Sequence, residues 1–171
     1  MSLWQVVGVQ EVAPQRWRNG GGWTRELLAW PTDDWVLRVS VADIEADGPF
    51  SAFDGVQRWF GVLQGAGVQL LGTELRVGDG LLSFDGGLAP DCQLIAGPTR
   101  DFNLMHRRGR GQVHIREPSS TADWIGLFTA EGGLLNGKIH VPPLCLAWAA
   151  SPTECKFDGR GWWMSWSEKS A

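Results

Sequence analysis

Short runs of Val, Leu, Ile, Phe and Trp return about every ten residues along the chain, each closed off by Gly, Pro or Asp. No window of helical length carries an apolar stripe at helical spacing without a Gly or Pro inside it, so any helices must be short. The spacing predicts strands at Leu3–Val9, Trp23–Ala29, Trp35–Val41, Val56–Leu63, Val68–Leu71, Glu74–Val77 and Leu81–Phe84. It predicts further strands at Cys92–Ala96, Asp101–Met105, Gln112–Ile115, Trp124–Ala130, Leu134–His140, Leu144–Ala149 and Trp162–Trp166. Asp54-Gly55, Gly78-Asp79-Gly80, Asp85-Gly86-Gly87 and Asp158-Gly159 supply turn chemistry between them. The 23 glycines among 171 residues are nearly twice the usual share of ~7%, which fits a chain that turns often. So many strands without helices to cover them must close on themselves or pack sheet on sheet. The expected fold is all-β: a barrel or jelly roll, or two stacked β modules.

Length makes one domain, or two tightly fused halves, the default. The polar stretch Pro118-Ser119-Ser120-Thr121 is the expected seam, dividing a main barrel at 1–117 from further strands at 118–171 within a single compact unit; Ser167–Ala171 is expected to fray. Fifteen Lys and Arg against 19 Asp and Glu give a formal charge of −4, which argues against general nucleic-acid binding. No apolar run approaches the ~18 residues of a membrane span, and the N-terminal residues lack the pattern of a secretory signal. A cytoplasmic protein with reduced Cys92, Cys145 and Cys155 is therefore expected.

Four segments could carry chemistry. Trp17-Arg18-Asn19-Gly20-Gly21-Gly22-Trp23-Thr24-Arg25-Glu26 is either a flexible loop between strands or a segment whose unobstructed glycine N–H groups cradle an anion or let a ligand approach closely. It is neither a P-loop nor a dinucleotide fingerprint. Alternation along Trp35–Ala42 sets Arg38, Ser40 and Ala42 on one face, so Arg38 and Ser40 face either solvent or the polar interior of a ligand-binding barrel. In Val56–Val62, Arg58 shares its face with Val56, Phe60 and Val62. Left unpaired there, a guanidinium would cost several kcal/mol, so either an internal carboxylate or a bound anion must meet it. In Gly97–Gly109, Asp101, Asn103 and Met105 share a face, which is either a hairpin's wet side or a small-ligand surface. The basic run His106–Arg110 reads as a solvated turn.

Other chemistry finds little purchase. The histidines His106, His114 and His140 form no HxH or HxxxH pair, no CxxC is present, and no GxSxG marks a nucleophile; no metal and no cofactor are expected. Trp162, Trp163 and Trp166 could stack on sugars, but Trp in compact β proteins mostly fills the core.

Taken together and in order, these segments resemble the HutD/Ves family of cupin-like proteins. The resemblance rests on Trp17–Gly22 with Thr24-Arg25-Glu26, then Trp35, Arg38, Ser40 and Ala42. It continues through Asp47-Gly48-Pro49-Phe50-Ser51, Phe53, Gly55, Arg58, Leu63, Gly65, Gly67 and Phe84-Asp85-Gly86. Gly97-Pro98, Arg100-Asp101, Asn103, Met105 and Arg107-Arg108-Gly109 complete it, so it spans about residues 17 to 109. The resemblance implies a double-cupin (bicupin) β-barrel in a bacterial cytoplasm. For the HutD branch it implies association with histidine utilisation, in which the protein binds a small carboxylate, such as a formylated glutamate-type intermediate, and so limits the pathway. The Ves branch is linked instead to stress or cold response. The histidine-rich motif of metal-dependent cupins is missing from this chain.

The reading that follows is a metal-free barrel whose polar interior binds a small carboxylate metabolite. Arg38 and Arg58 supply positive charge, and Asn19 and Thr24 donate hydrogen bonds near the mouth. Ser40, Asp101 and Asn103 orient the rest of the ligand, and Glu26 holds one of the arginines. The alternative is a metal-independent enzyme using Asp101 or Glu26 as general base; a third class acts by contacting a regulator or pathway enzyme. Neither nucleic acid nor membrane is an expected partner, and a homodimer is left open.

Overall fold

The structure, a computed structural model, describes residues 3–152 and 154–168. Of the tail expected to fray, 169–171 lie outside the described residues, whereas Ser167 closes the last strand. Strand β1 (Gln5–Gly8) leads into a single 3-10 turn at Val9–Glu11, then come β2 (Gln15–Arg16), β3 (Gly22–Trp30), β4 (Leu37–Ile44), β5 (Gly48–Pro49) and β6 (Val56–Gln64). Next follow β7 (Val68–Leu70), β8 (Thr73–Leu75), β9 (Leu82–Asp85), β10 (Asp91–Leu94) and β11 (Thr99–Arg107). The remainder is β12 (Gln112–His114), β13 (Trp124–Thr129), β14 (Gly133–Leu135), β15 (Ile139–Val141), β16 (Cys145–Ala150), β17 (Phe157–Gly159) and β18 (Trp162–Ser167). The all-β expectation is met, and the one helical turn among the described residues is short. No helix among the described residues is long and apolar enough to cross a membrane.

The chain divides into two compact units, Val12–Arg108 and a second that joins the residues up to Glu11 with those from Gly109 onward. The first segment belongs with the later strands because β1 pairs along its whole length with β16, from Gln5 opposite Trp148 to Gly8 opposite Cys145. The division therefore falls ahead of Pro118–Thr121. That stretch is a turn between β12 and β13, tied by Ala122 N donating to Ser119 O at 3.1 Å.

The Val12–Arg108 unit holds a six-stranded sheet, β2-β3-β4-β11-β6-β9, and a four-stranded sheet, β5-β10-β7-β8. Ile44, Phe60, Val62 and Phe84 from the larger sheet pack with Val68, Leu70, Leu75 and Cys92 from the smaller one, and Phe50 joins them. Each such large side chain withdrawn from water contributes ~1.5–3 kcal/mol. The other unit pairs β1-β16-β13-β18-β12 in one sheet and β15-β14-β17 in another, over a core of Leu127, Leu135, Val141, Cys145 and Ala147. Pairing in every sheet runs from edge strand to edge strand, so among the described residues neither unit closes into a ring of strands.

Three local assignments need correction. Asp158-Gly159, expected as a turn, lies within β17 opposite β14, and His106, expected in a solvated turn, is buried near the end of β11. The expected strand Leu134–His140 is a hairpin, because Asn136 (φ +53°) and Gly137 (φ +69°) take left-handed conformations in the three-residue connection Asn136-Gly137-Lys138 between β14 and β15, where Lys138 N donates to Leu135 O at 3.2 Å.

Candidate ligand-binding site

The register of the six-stranded sheet places the polar residues in rows. Asp101 on β11 lies opposite Ala42 of β4 and Val62 of β6, Asn103 opposite Ser40 and Phe60, and Met105 opposite Arg38 and Arg58. On the far side of β4, Thr24 faces Ala42 and Glu26 faces Ser40. Because alternate residues share a face, Arg38, Ser40, Arg58, Asp101 and Asn103 all project from one side of this sheet. They line a cavity of about 440 Å³ within the Val12–Arg108 unit, together with Asn19, Thr24, Phe50, Ser51, Phe53 and Met105. The wet-face readings of β4 and β11 are thereby set aside: Ser40, Asp101 and Asn103 are buried.

Arg58 is the centre of the arrangement. It is 5% exposed, and burial pulls its guanidinium down to about 10, with Asp101 opposing and Arg38 adding to the fall. It stays charged at neutral pH. Its Nη2 donates to Asn103 Oδ1 at 2.9 Å and its Nη1 to Ser51 O at 3.5 Å, while Nε has no partner among the described residues. The rings of Phe50, Phe84 and Phe53 stand 5.1, 5.1 and 5.7 Å from its Cζ, so three aromatic faces stabilise the cation. No carboxylate forms an ion pair with it among the described residues, and the internal salt bridge offered as one answer for Arg58 is not what holds it.

Asn103 links Arg58 to Asp101: its Nδ2 donates to Asp101 Oδ1 in a short hydrogen bond. Burial pushes the Asp101 carboxyl well above the usual carboxylate range and Asp43 adds to the rise, against the pull of Arg58 and Asn103.

Arg38 is held differently. Its Nε donates to Glu26 Oε1 at 2.6 Å, a diagonal cross-strand pair, and its Nη1 reaches Met105 Sδ at 4.0 Å. Glu26 is thus the holder of an arginine and not itself part of the cavity wall. At the mouth, Trp17 Nε1 donates to Thr24 Oγ1 at 2.7 Å, which leaves the Thr24 hydroxyl hydrogen free to donate.

The glycine-rich segment is a built turn, neither a floppy loop nor an anion cradle. Gly20 N donates to Trp17 O at 3.0 Å and Gly21 N to Asn19 Oδ1 at 2.9 Å, so these N–H groups are already engaged. Gly22 is there for close approach: a Cβ would stand 2.4 Å from Asp43 O and 3.2 Å from the Trp17 ring.

Sequence reasoning missed Arg18, Phe50, Ser51 and Phe53 as lining residues. Arg18 is exposed and makes no hydrogen bond or ion pair among the described residues, an open cation at the mouth. Phe50 and Phe53 enter the sequence reading only through the family resemblance; that both face a guanidinium needs the long-range contact between the 48–53 loop and β6. Among the described residues no group of three or more His, Cys, Asp or Glu is placed to hold a metal ion.

The fold and site define an all-β protein whose two-sheet unit encloses a cationic, donor-rich pocket. The HutD family model matches residues 9–136, and the chain belongs to the HutD family. An uncharacterized protein of the hutC 3′ region from Pseudomonas putida is 37% identical over 124 residues, 68% of this chain and 65% of that protein. Protein Ves from Citrobacter koseri is 32% identical over 134 residues, 74% of this chain and 69% of its own length. The chain thus spans about two-thirds of these relatives. The solved HutD of Pseudomonas fluorescens SBW25, from a formate condition, superposes with a TM-score of 0.84 at 26% identity, covering 98% of this chain and all of that one.

Proposed function

We propose that this protein is a metal-free, cupin-like binding protein for a small carboxylate metabolite, and that through this binding it regulates histidine utilisation in the cytoplasm. The 12–108 unit is the ligand-carrying half of a double cupin. The observation that carries the reading is Arg58: a buried, charged guanidinium with no carboxylate pair, on a side chain that lines the cavity and whose Nε has no hydrogen-bond partner among the described residues. Removing a guanidinium from water costs several kcal/mol, and an anion bound beside it offsets that cost. The hydroxyls of Ser40 and Thr24 and the guanidinium of Arg38 add further donors. A formylglutamate-like intermediate of histidine breakdown offers the matching acceptors, which agrees with the hutC-region relative.

Calorimetry with N-formylglutamate, glutamate, urocanate and formate tests the proposal. Binding of N-formylglutamate that is lost in Arg58→Ala and weakened in Arg38→Ala is the expected result. Should none of the four bind, and should both variants keep the wild-type unfolding profile, the pocket has been misread.

A further inference from the structure

Asp101 stands at the cavity wall with 1% of its surface exposed, and its two oxygens meet different fates. Oδ1 accepts from Asn103 Nδ2, whereas Oδ2, fully buried, has no hydrogen-bond partner among the described residues. Arg58 is turned to Asn103 instead of forming an ion pair with Asp101. The orientation of Asn103 follows from donor and acceptor identity. A guanidinium can only donate, so Asn103 must give it Oδ1, and its NH2 is then left for Asp101. An ionised Asp101 in this setting leaves a bare anionic oxygen in the interior. A protonated one carries no charge, keeps Oδ1 as the acceptor for Asn103, and makes Oδ2 a donor.

We infer that Asp101 carries a proton on Oδ2 at neutral pH and donates it in a hydrogen bond to the bound anion, so that it is a specificity-determining residue for oxyanions. The inference rests on the carboxylate reading above and extends it from the arginines to the β11 wall. Titratable and charged groups around Asp101 come from three strands: Arg58 on β6, Asp43 on β4 and Cys92 on β10. Arg58 favours the ionised carboxyl, while Asp43 and burial oppose it, with burial the largest influence. The Cys92 thiol, pushed up to about 12 chiefly by burial, stays neutral and supplies no counter-charge. With Asp101 neutral, the pocket presents donors from Arg38, Arg58, Ser40, Thr24 and Asp101 together. A ligand offering only N–H donors at the Asp101 position meets a donor there, which separates carboxylates from amines.

Two measurements on the full chain test this. In carbon-13 NMR of aspartate-labelled protein, the resonance lost in Asp101→Asn is expected at the position of a protonated carboxyl at pH 7; a carboxylate position overturns the inference. In calorimetry with N-formylglutamate and with formate, Asp101→Asn keeps an acceptor for Asn103 and a donor for the ligand, so affinity stays within about threefold of wild type. Asp101→Leu, checked for folding by thermal unfolding, loses tenfold or more. If Asp101→Asn itself loses tenfold or more, Asp101 is an ionised acceptor and the inference is wrong. If neither probe binds the wild-type protein, the carboxylate reading falls first and takes the donor role with it, whatever the resonance shows.

Discussion

Arg58 reaches Asn103, 2.9 Å from Nη2 to Oδ1, and not Asp101, two residues from Asn103 along β11. A neutral amide satisfies the guanidinium without cancelling its charge, which leaves that charge available to a ligand. Replacing the amide by a carboxylate removes this advantage. In Asn103→Asp the new carboxylate pairs with Arg58, and N-formylglutamate affinity is expected to fall at least tenfold. Asn103→Ala instead leaves polar groups on both sides without their partner and lowers stability by about 1–3 kcal/mol. Calorimetry and thermal unfolding, run in parallel, separate the two effects.

Glu26 balances Arg38 from outside the cavity, and its side chain is 44% exposed. A pair this open to water contributes at most ~1 kcal/mol to stability. Glu26→Gln is therefore expected to leave the unfolding midpoint nearly unchanged while raising formate affinity about two- to tenfold, since Arg38 then carries an unbalanced charge. A fall in affinity would mean that Glu26 positions Arg38 more than it neutralises it.

Arg18 at the mouth is too solvated to matter for stability, and its effect on ligands should depend on their charge. Arg18→Ala is expected to weaken N-formylglutamate, a dianion, by about threefold to tenfold at low salt, with formate barely affected. The difference should shrink as ionic strength rises, because charges this exposed are screened over ~10 Å at 0.1 M. An equal loss for both ligands would place Arg18 on the first carboxylate instead.

Gly22 has a Cβ-sized gap filled by Asp43 O and the Trp17 ring. Gly22→Ala pushes β3 off β4 or displaces Trp17 from Thr24, at a cost of about 1–3 kcal/mol. In a chain of this length that lowers the unfolding midpoint by about 2–4 °C per kcal/mol. Gly55, whose Cβ would meet nothing within 4 Å but which has φ +74°, is the control: its alanine variant reports backbone strain alone.

What the sequence made legible was whatever depends on period two. Arg38 with Ser40, and Asp101 with Asn103, could be set on common faces because single strands enforce alternation, and Arg58 stood out as a charge within an apolar stripe. Which strands lie side by side was not legible, since register is a long-range property. The Arg38–Glu26 pair depends on the irregularity between Glu26 and Leu28 that lets both Leu27 and Leu28 be buried. The joining of β1 to β16 spans almost the whole chain and leaves no local mark. Asn136-Gly137 was legible in principle; its turn chemistry was hidden inside an apolar run.

Asp101 and Asp43 pull stability in opposite directions with pH. The Asp101 carboxyl is raised in the folded state, so the native protein binds its proton more tightly than the unfolded chain does. Stability from this group is complete below the unfolded value near 4 and is lost as pH climbs through the raised folded value. For Asp43, burial alone would push the carboxyl up, but hydrogen bonds and charge from Arg100 (2.6 Å to Oδ1) and Arg25 (2.9 Å to Oδ2) outweigh it and hold it low. Its contribution is present above the unfolded value and disappears as pH falls through the lowered folded one. Denaturant titrations from pH 3 to pH 9 should therefore show Asp101→Asn gaining on wild type as pH rises, and Asp43→Asn losing least at the acid end. If wild type and Asp101→Asn run parallel from pH 4 to pH 9, the folded carboxyl titrates like the unfolded one, and Asp101 does not hold its proton in the pocket.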